Sequence, residues 1–199
     1  MAGVPFVGLT GGLGAGKSEA LRALAELGAA TISTDAIVHE LLTGDELRDI
    51  VLTRLGPELA PGGRLDRSLI AERVFGDEQA RVWLEGELWP RVGQRVAEWR
   101  REVEALDPPP RAAVVEVPLL FESGMEAGFD ATIAVVADEA LREERAAARG
   151  HAALAERAGR QLTQAEKSQR ADFEVRNDGT LEELRETLWR VLAKLRPVP

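Results

Sequence analysis

The sequence of 199 residues contains no cysteine, which excludes disulfide bonds, thiolate zinc sites and cysteine nucleophiles. No apolar stretch approaches the length of a membrane span. The first predicted strand begins so near the N-terminus that we expect no signal peptide. We therefore expect a cytoplasmic protein without a membrane partner. The formal net charge is −9, whereas nucleic-acid binding requires a basic surface, so we expect no nucleic-acid partner.

Basic residues are nevertheless concentrated in one part of the chain. The arginines of this part are Arg142, Arg145, Arg149, Arg157 and Arg160. In an acidic protein, such a cluster could bind an anionic ligand. It could equally form a solvated helix face on which the arginines pair with Glu143, Glu144 and Glu156. Both interpretations fit the sequence equally well.

Residues 11–18 read GGLGAGKS and match the phosphate-binding loop pattern G-x-x-x-x-G-K-[ST]. The apolar segment Phe6–Thr10 before the loop predicts a buried strand, and the strong helix formers after it predict a helix. Backbone N–H groups of such a loop point at phosphate oxygens. Lys17 can reach the β- and γ-phosphates, and the Ser18 hydroxyl can bind Mg²⁺. The alternative is a glycine-rich turn without a ligand, which the surrounding pattern disfavours.

Four further segments have the composition of strands. They are Ala30–Ser33, Val114–Val117, Ile133–Val136 and Phe173–Val175. Two of them, Val114–Val117 and Ile133–Val136, are largely apolar runs rather than alternating ones, which is typical of buried parallel strands. Strands that alternate with helices predict a three-layer α/β/α fold around a five-stranded parallel sheet. Ligands bind at the carboxyl ends of such strands, so we expect the phosphate loop, Asp35 and the Pro118–Glu122 turn at one edge.

Residues 58–107 contain helical patterns without a convincing strand. They predict an α-helical insertion, while residues 1–57 and 108–199 form the nucleotide-binding core. The insertion contains a stripe of apolar residues at helical spacing that we expect to be buried. Its members are Val82, Trp89, Val92, Val96, Trp99, Val103 and Leu106. Because Pro90 interrupts this pattern, we expect a kink or a new helix near residues 86–90.

A phosphate loop alone does not separate kinases from GTPases, motors or transporter ATPases. The sequence contains no Asn/Thr-Lys-x-Asp motif for guanine and no apolar strand that ends in adjacent acidic residues. A small-molecule kinase needs a group that orients and deprotonates the acceptor hydroxyl. Asp35 follows the second strand, which lies next to the first in most such sheets, so Asp35 is the candidate base. A helix N-cap is the equally weighted alternative.

The motifs together resemble those of the dephospho-coenzyme A kinase family in order and spacing, over nearly the whole chain. The matching segments are GLTGGLGAGKS at 8–18, STD at 33–35, GRLDR at 63–67, VPLLFE at 117–122, ADF at 171–173 and Asn177-x-Gly179. The resemblance implies transfer of a phosphoryl group from ATP to the ribose 3′-hydroxyl of dephospho-coenzyme A, with Mg²⁺ as cofactor.

The resemblance also implies roles for individual residues. The catalytic residues would be Asp35, Lys17, Arg145 and Arg149. Contacts with ATP would come from Gly12, Gly14, Ala15, Gly16, Lys17, Ser18, Glu19, Arg157, Asn177 and Gly179. The acceptor would be bordered by Asp35, His39, Trp89, Pro118, Leu119, Leu120 and Glu122. Residues of approximately 150–165 would form a lid, and the insertion would bind the acceptor.

Three departures from the family pattern matter. Ser33 replaces the first aspartate of an Asp-x-Asp signature, and His39 stands in place of an arginine. Trp89 stands where a Leu-His-Pro motif has histidine, and we expect it in the core rather than stacked on an adenine.

Two alternatives to the kinase function implied by the resemblance remain open. One is a kinase for nucleoside monophosphates or shikimate, and the other is a nucleotide-binding regulator without transfer activity.

Overall fold

A computed structural model describes residues 3–148 and 161–195. Its five strands form one sheet in the order β2-β3-β1-β4-β5. The strands are β1 (Phe6–Gly11), β2 (Ala30–Ser33), β3 (Ala113–Glu116), β4 (Ala131–Val136) and β5 (Phe173–Arg176). Every neighbouring pair is parallel. The predicted α/β fold with a five-stranded parallel sheet is therefore confirmed.

The expectation that the second strand lies next to the first is wrong. β3 pairs with β1 on one side and with β2 on the other, so that Glu116 is in register with both Leu9 and Ser33. Burial gives the physical reason. All four residues of β3 are buried, whereas all four of β2 are only partly buried. The more apolar strand takes the interior position, and β2 takes the edge.

The described residues contain eight α-helices. They are α1 (Lys17–Glu26), α2 (Thr34–Thr43), α3 (Arg48–Leu55), α4 (Arg67–Phe75), α5 (Glu78–Glu104), α6 (Glu139–Ala148), α7 (Gln164–Arg170) and α8 (Leu181–Lys194). Helix α4 is capped by Asp66, whose carboxylate accepts hydrogen bonds from the N–H groups of Ser68 and Leu69. Helix α8 begins with a capping box formed by Thr180 and Glu183.

Helices α1 and α8 cover a hydrophobic core together with the central strands. Leu9, Leu24, Ile133, Leu184 and Leu188 belong to this cluster, and none is more than 1% exposed. Burial of side chains of this size contributes roughly 1.5–3 kcal/mol each. The packing of α1 fixes the helix that follows the phosphate loop, and thereby the end of the loop.

Of the two outcomes predicted near residues 86–90, the kink stays a prediction, whereas a new helix is ruled out because helix α5 continues through Pro90. Near it, Arg91 Nη1 donates to the carbonyl oxygen of Glu87 at 2.7 Å. The predicted buried stripe is partly wrong. The side chains of Val82, Trp89 and Leu106 are 56%, 43% and 53% exposed.

The buried face of α5 follows a row of residues four apart. Its members before the last turns are Ala80, Leu84, Leu88, Val92 and Val96. Residues four apart lie on one helix face, so this row presents one side to the protein interior. Trp89 lies off this row, which is why the expectation of a core tryptophan is wrong.

The chain separates into two compact units, Met1–Ser33 with Arg100–Pro199, and Thr34–Trp99. The first unit contains the sheet and the phosphate loop. The second contains α2, α3, α4 and most of α5, and begins earlier in the chain than the predicted insertion of 58–107. The assignment of acceptor binding to that insertion stays a prediction. Across residues 3–148 and 161–195, no helix combines the length and the apolar character needed to cross a membrane.

Candidate active site

The phosphate loop connects the central strand β1 to helix α1. Two of its glycines adopt left-handed backbone conformations, with φ of 72° at Gly14 and 92° at Gly16. A Cβ atom at Gly14 would collide with the backbone carbonyl oxygen of Arg142. A Cβ atom at Gly16 would collide with the side-chain nitrogen Nδ2 of Asn177. Both the backbone conformation and the close approach of neighbouring residues therefore require glycine here.

Side chains hold the carbonyl oxygens of the loop. Three such hydrogen bonds are present: from Lys17 Nζ to Gly12 O (3.2 Å), from Arg142 Nε to Leu13 O (2.8 Å) and from Asn177 Nδ2 to Ala15 O (2.9 Å). A carbonyl oxygen carries a negative partial charge that would repel a phosphate. Donors that bind these oxygens stabilise a loop conformation suited to presenting N–H groups to an anion.

Asn177 lies directly after β5, and its side chain is buried. Its own N–H donates to Val136 O at 2.8 Å, and its carbonyl oxygen accepts from Arg145 Nη1 at 3.1 Å. The structure therefore brings Asn177 to the phosphate loop itself. Gly179 is exposed two residues further on. The predicted contact of Asn177 and Gly179 with the ATP adenine stays a prediction.

Helix α6 carries the two described members of the arginine cluster. Arg142 binds the loop at Leu13, and Arg145 binds the segment after β5. Both contacts place these arginines beside the phosphate loop, where an anionic ligand would bind. Arg149 and Arg157 lie outside the described residues, as does the predicted lid up to residue 160.

The start of α1 offers one oxygen ligand for a metal ion. Ser18 is exposed in the first turn of the helix, whereas the Glu19 carboxylate pairs with Arg22. In the part of the chain that the structure describes, no group of three or more His, Asp or Glu side chains could hold a metal ion. Mg²⁺ commonly uses one or two protein ligands and completes its shell with phosphates and water. A single hydroxyl at this position fits that donor set.

The turn after β3 is tied to the end of β1. The carbonyl oxygen of Pro118 accepts hydrogen bonds from Thr10 Oγ1 at 3.2 Å and from Lys167 Nζ at 2.6 Å. Lys167 also forms an ion pair with Glu122, with Nζ and Oε1 3.0 Å apart. Burial lowers the pKa of the Lys167 ammonium group, and Glu122 opposes this shift.

The two leucines of this turn differ in burial. Leu119 is partly exposed, whereas Leu120 has no exposed surface. A Cβ atom at Gly8 would lie 3.0 Å from Leu120 Cδ2, which shows how closely this side chain packs on β1. Leu120 therefore stabilises the turn by packing on β1.

No role was predicted for the polar residues on α7, although Lys167 matches the family pattern. Gln164 forms two hydrogen bonds with Ala137 after β4, one from Ala137 N to Oε1 and one from Nε2 to Ala137 O, each 2.9 Å long. Lys167 lies three residues later on the same helix. Because residues three apart share a helix face, this spacing could have indicated that Gln164 and Lys167 lie on the same side of the helix.

The second unit contains the remaining predicted residues. Asp35 is exposed in the first turn of α2, within the helix rather than before it, so that the N-cap alternative is not supported. His39 is exposed one turn later, and its Nδ1 lies 2.9 Å from Arg67 Nη1. Trp89 is exposed on α5. Their contacts with an acceptor stay predictions.

Comparisons with known proteins agree with one family. The family model described as dephospho-CoA kinase matches residues 5–183. The dephospho-CoA kinase of Protochlamydia amoebophila is 38% identical over 195 residues, which are 96% of each chain. A solved structure of a Thermus thermophilus protein has a TM-score of 0.81 and 34% identity, covering 98% of this chain and 99% of that one.

A solved dephospho-CoA kinase from Campylobacter jejuni has a TM-score of 0.68 and 26% identity, covering 94% of this chain and 95% of that one. The similarity therefore extends through both compact units rather than being confined to the phosphate loop. The loop, its glycine conformations and its bound carbonyl oxygens agree with a nucleotide-binding transferase. The chain belongs to the dephospho-CoA kinase family.

Proposed function

We propose that the protein transfers the γ-phosphoryl group of ATP to the ribose 3′-hydroxyl of dephospho-coenzyme A, yielding coenzyme A and ADP. The observation that carries this proposal is the family match over residues 5–183, which spans both compact units. A match confined to the phosphate loop would support nucleotide binding alone. The predicted cytoplasmic location and the predicted lack of a nucleic-acid partner stay predictions.

On the donor side, the backbone N–H groups of residues 12–18 would bind the ATP phosphates. Lys17 would interact with the β- and γ-phosphates, and Arg145 would stabilise charge on the transferred group. Bound Mg²⁺, with the Ser18 hydroxyl among its ligands, would neutralise phosphate charge. The hydrogen bonds that hold the loop carbonyl oxygens support this assignment.

On the acceptor side, the 3′-hydroxyl oxygen would attack the γ-phosphorus while the bond to the leaving ADP oxygen breaks. The hydroxyl proton would pass to the carboxylate of Asp35. Two observations support this role. The Asp35 side chain is exposed, and it follows the carboxyl end of β2, which lies at the same sheet edge as the carboxyl end of β1.

Besides Asp35, six further residues would border the acceptor. The proposed set is His39, Trp89, Pro118, Leu119, Leu120 and Glu122. Exposure of His39 and Trp89 supports a role in binding for these two. Leu120, which is fully buried, would act by holding the turn.

The choice of acceptor tests the proposed function. ATP consumption is measured with dephospho-coenzyme A and, in parallel, with nucleoside monophosphates and shikimate. We expect turnover with dephospho-coenzyme A and a product that carries a 3′-phosphate, identified by phosphorus NMR. The 3′-deoxy analogue, which lacks the attacking oxygen, serves as the control and should not be phosphorylated. Faster turnover of another acceptor would refute the proposal, and ATP binding without any transfer would indicate a regulator.

Replacement of Lys17 tests the donor site. Because Lys17 would stabilise charge on the phosphates, Lys17→Ala should lower turnover by about a hundredfold or more and weaken ATP binding. Steady-state kinetics and calorimetric titration with ATP measure the two effects. Lys194→Ala is the matched control, since Lys194 is exposed on α8. A Lys17→Ala protein as active as the parent would remove the assignment of the phosphate loop.

Replacement of Asp35 tests the candidate base. Asp35→Asn keeps the shape of the side chain but cannot accept the proton, so turnover should fall roughly a hundredfold or more. ATP affinity should stay near the parent value. Glu40→Gln removes a charge from an exposed position of the same helix and should have little effect. Unchanged turnover in Asp35→Asn would show that this carboxylate is not the base.

A further inference from the structure

Helix α7 contains a lysine in an unusual environment. Lys167 is 0% exposed, whereas Lys194 is exposed and Lys17 is partly exposed, and the sequence contains no other lysine. Burial of an ammonium group is costly unless the charge is paired and hydrogen-bonded. A methionine would fill similar space without this cost. The presence of a charged group here therefore calls for an explanation beyond packing.

The contacts of Lys167 converge on the turn that follows β3. Its ammonium group donates to Pro118 O at 2.6 Å and pairs with Glu122 Oε1 at 3.0 Å. The same Oε1 atom accepts a hydrogen bond from Leu162 N at 2.9 Å. Pro118 O is shared with Thr10, the residue before the phosphate loop. One ammonium group thus joins α7 to both ends of the turn.

Helix α7 also contacts the donor side of the site. Gln164, on the same helix face, holds Ala137 after β4 with two hydrogen bonds. A Cβ atom at Gly12 would lie 3.2 Å from Gln164 Cγ, so this side chain packs directly on the phosphate loop. The helix therefore contacts the phosphate loop through Gln164 and the Pro118–Glu122 turn through Lys167.

We propose that Lys167 is a positioning residue for phosphoryl transfer, which fixes the Pro118–Glu122 turn relative to the end of β1 and the phosphate loop. The inference rests on the proposed function, in which this turn borders the acceptor and the loop binds the donor. Reaction rates depend on how accurately the two reactants are held, and a displacement of about 1 Å can lower a rate about a hundredfold. An ion pair between fixed partners restricts the position of a turn more than non-directional apolar contacts do.

The buried pair is a poor source of stability, which supports a positioning role. Replacement of a buried ion pair by neutral groups of similar volume is often neutral or stabilising. Glu122 Oε2 is buried and has no hydrogen-bond partner among the described residues, which adds a desolvation cost. Because burial lowers the Lys167 pKa and Glu122 opposes this shift, the carboxylate helps to keep the ammonium group charged.

The test compares two variants that differ only at Lys167. In Glu122→Gln, the amide oxygen still accepts from Leu162 and from Lys167, and Lys167 still donates to Pro118. In Lys167→Met with Glu122→Gln, the ammonium group is lost but no unpaired buried charge is left. The single variant is thus the reference for the double one. Lys194→Met, at an exposed position, is the control for the loss of a lysine.

We expect the double variant to resist urea unfolding at least as well as its reference, in which the buried Lys167 ammonium group lacks its carboxylate partner. Its kcat should be about 10- to 100-fold lower than that of the reference. KM for ATP should stay near the reference value, because the phosphate loop keeps its own carbonyl contacts. Lys194→Met should resemble the parent protein. Equal kcat in the double variant and the Glu122→Gln reference would overturn the inference. So would a loss of stability large enough to account for the loss of activity.

Amide hydrogen exchange separates this inference from the proposed function. Exchange at residues 119–124 and at Leu162 should be faster in the double variant than in its reference, and exchange in α8 should be equal. This comparison needs no acceptor. A parent protein that fails to phosphorylate dephospho-coenzyme A would refute the proposed function, whereas unchanged exchange at the turn would refute the role of Lys167.

Discussion

A loop that binds phosphate must direct its carbonyl oxygens away from the ligand, and the rest of the structure depends on how this is achieved. Here Lys17, Arg142 and Asn177 bind three of these oxygens. The donors come from α1, α6 and the residue after β5, so widely separated parts of the chain stabilise one loop. Gly14 and Gly16 permit the close approach that these contacts need.

The parallel sheet makes these contacts possible because the carboxyl ends of all its strands lie at one edge. The core beneath α1 and α8 keeps β1 and the first helix in place. Helix α7 stabilises two further segments at the same edge of the sheet. Gln164 holds the segment after β4, and Lys167 holds the turn after β3. Loop and turn are thereby held by one helix, which underlies the role proposed for Lys167.

The sequence predicted the features that depend on local patterns. The phosphate loop and the strands follow from residue type and spacing over a few positions. Features that depend on long-range burial were not predictable in this way. The edge position of β2 reflects competition with β3, and the exposure of Trp89 reflects which row of α5 faces the interior. The pairing of Lys167 with Glu122 joins residues that are far apart in the chain, so no local pattern reveals it.

The central claim is that the phosphate loop positions the donor and that Asp35 activates the acceptor hydroxyl. A crystal structure with dephospho-coenzyme A and a non-hydrolysable ATP analogue tests this claim most directly. It should show the β- and γ-phosphates on the N–H groups of residues 12–18 and the ribose 3′-oxygen within about 3.2 Å of an Asp35 carboxylate oxygen. A 3′-oxygen beyond hydrogen-bond reach of Asp35, or phosphates bound away from the loop, would contradict it.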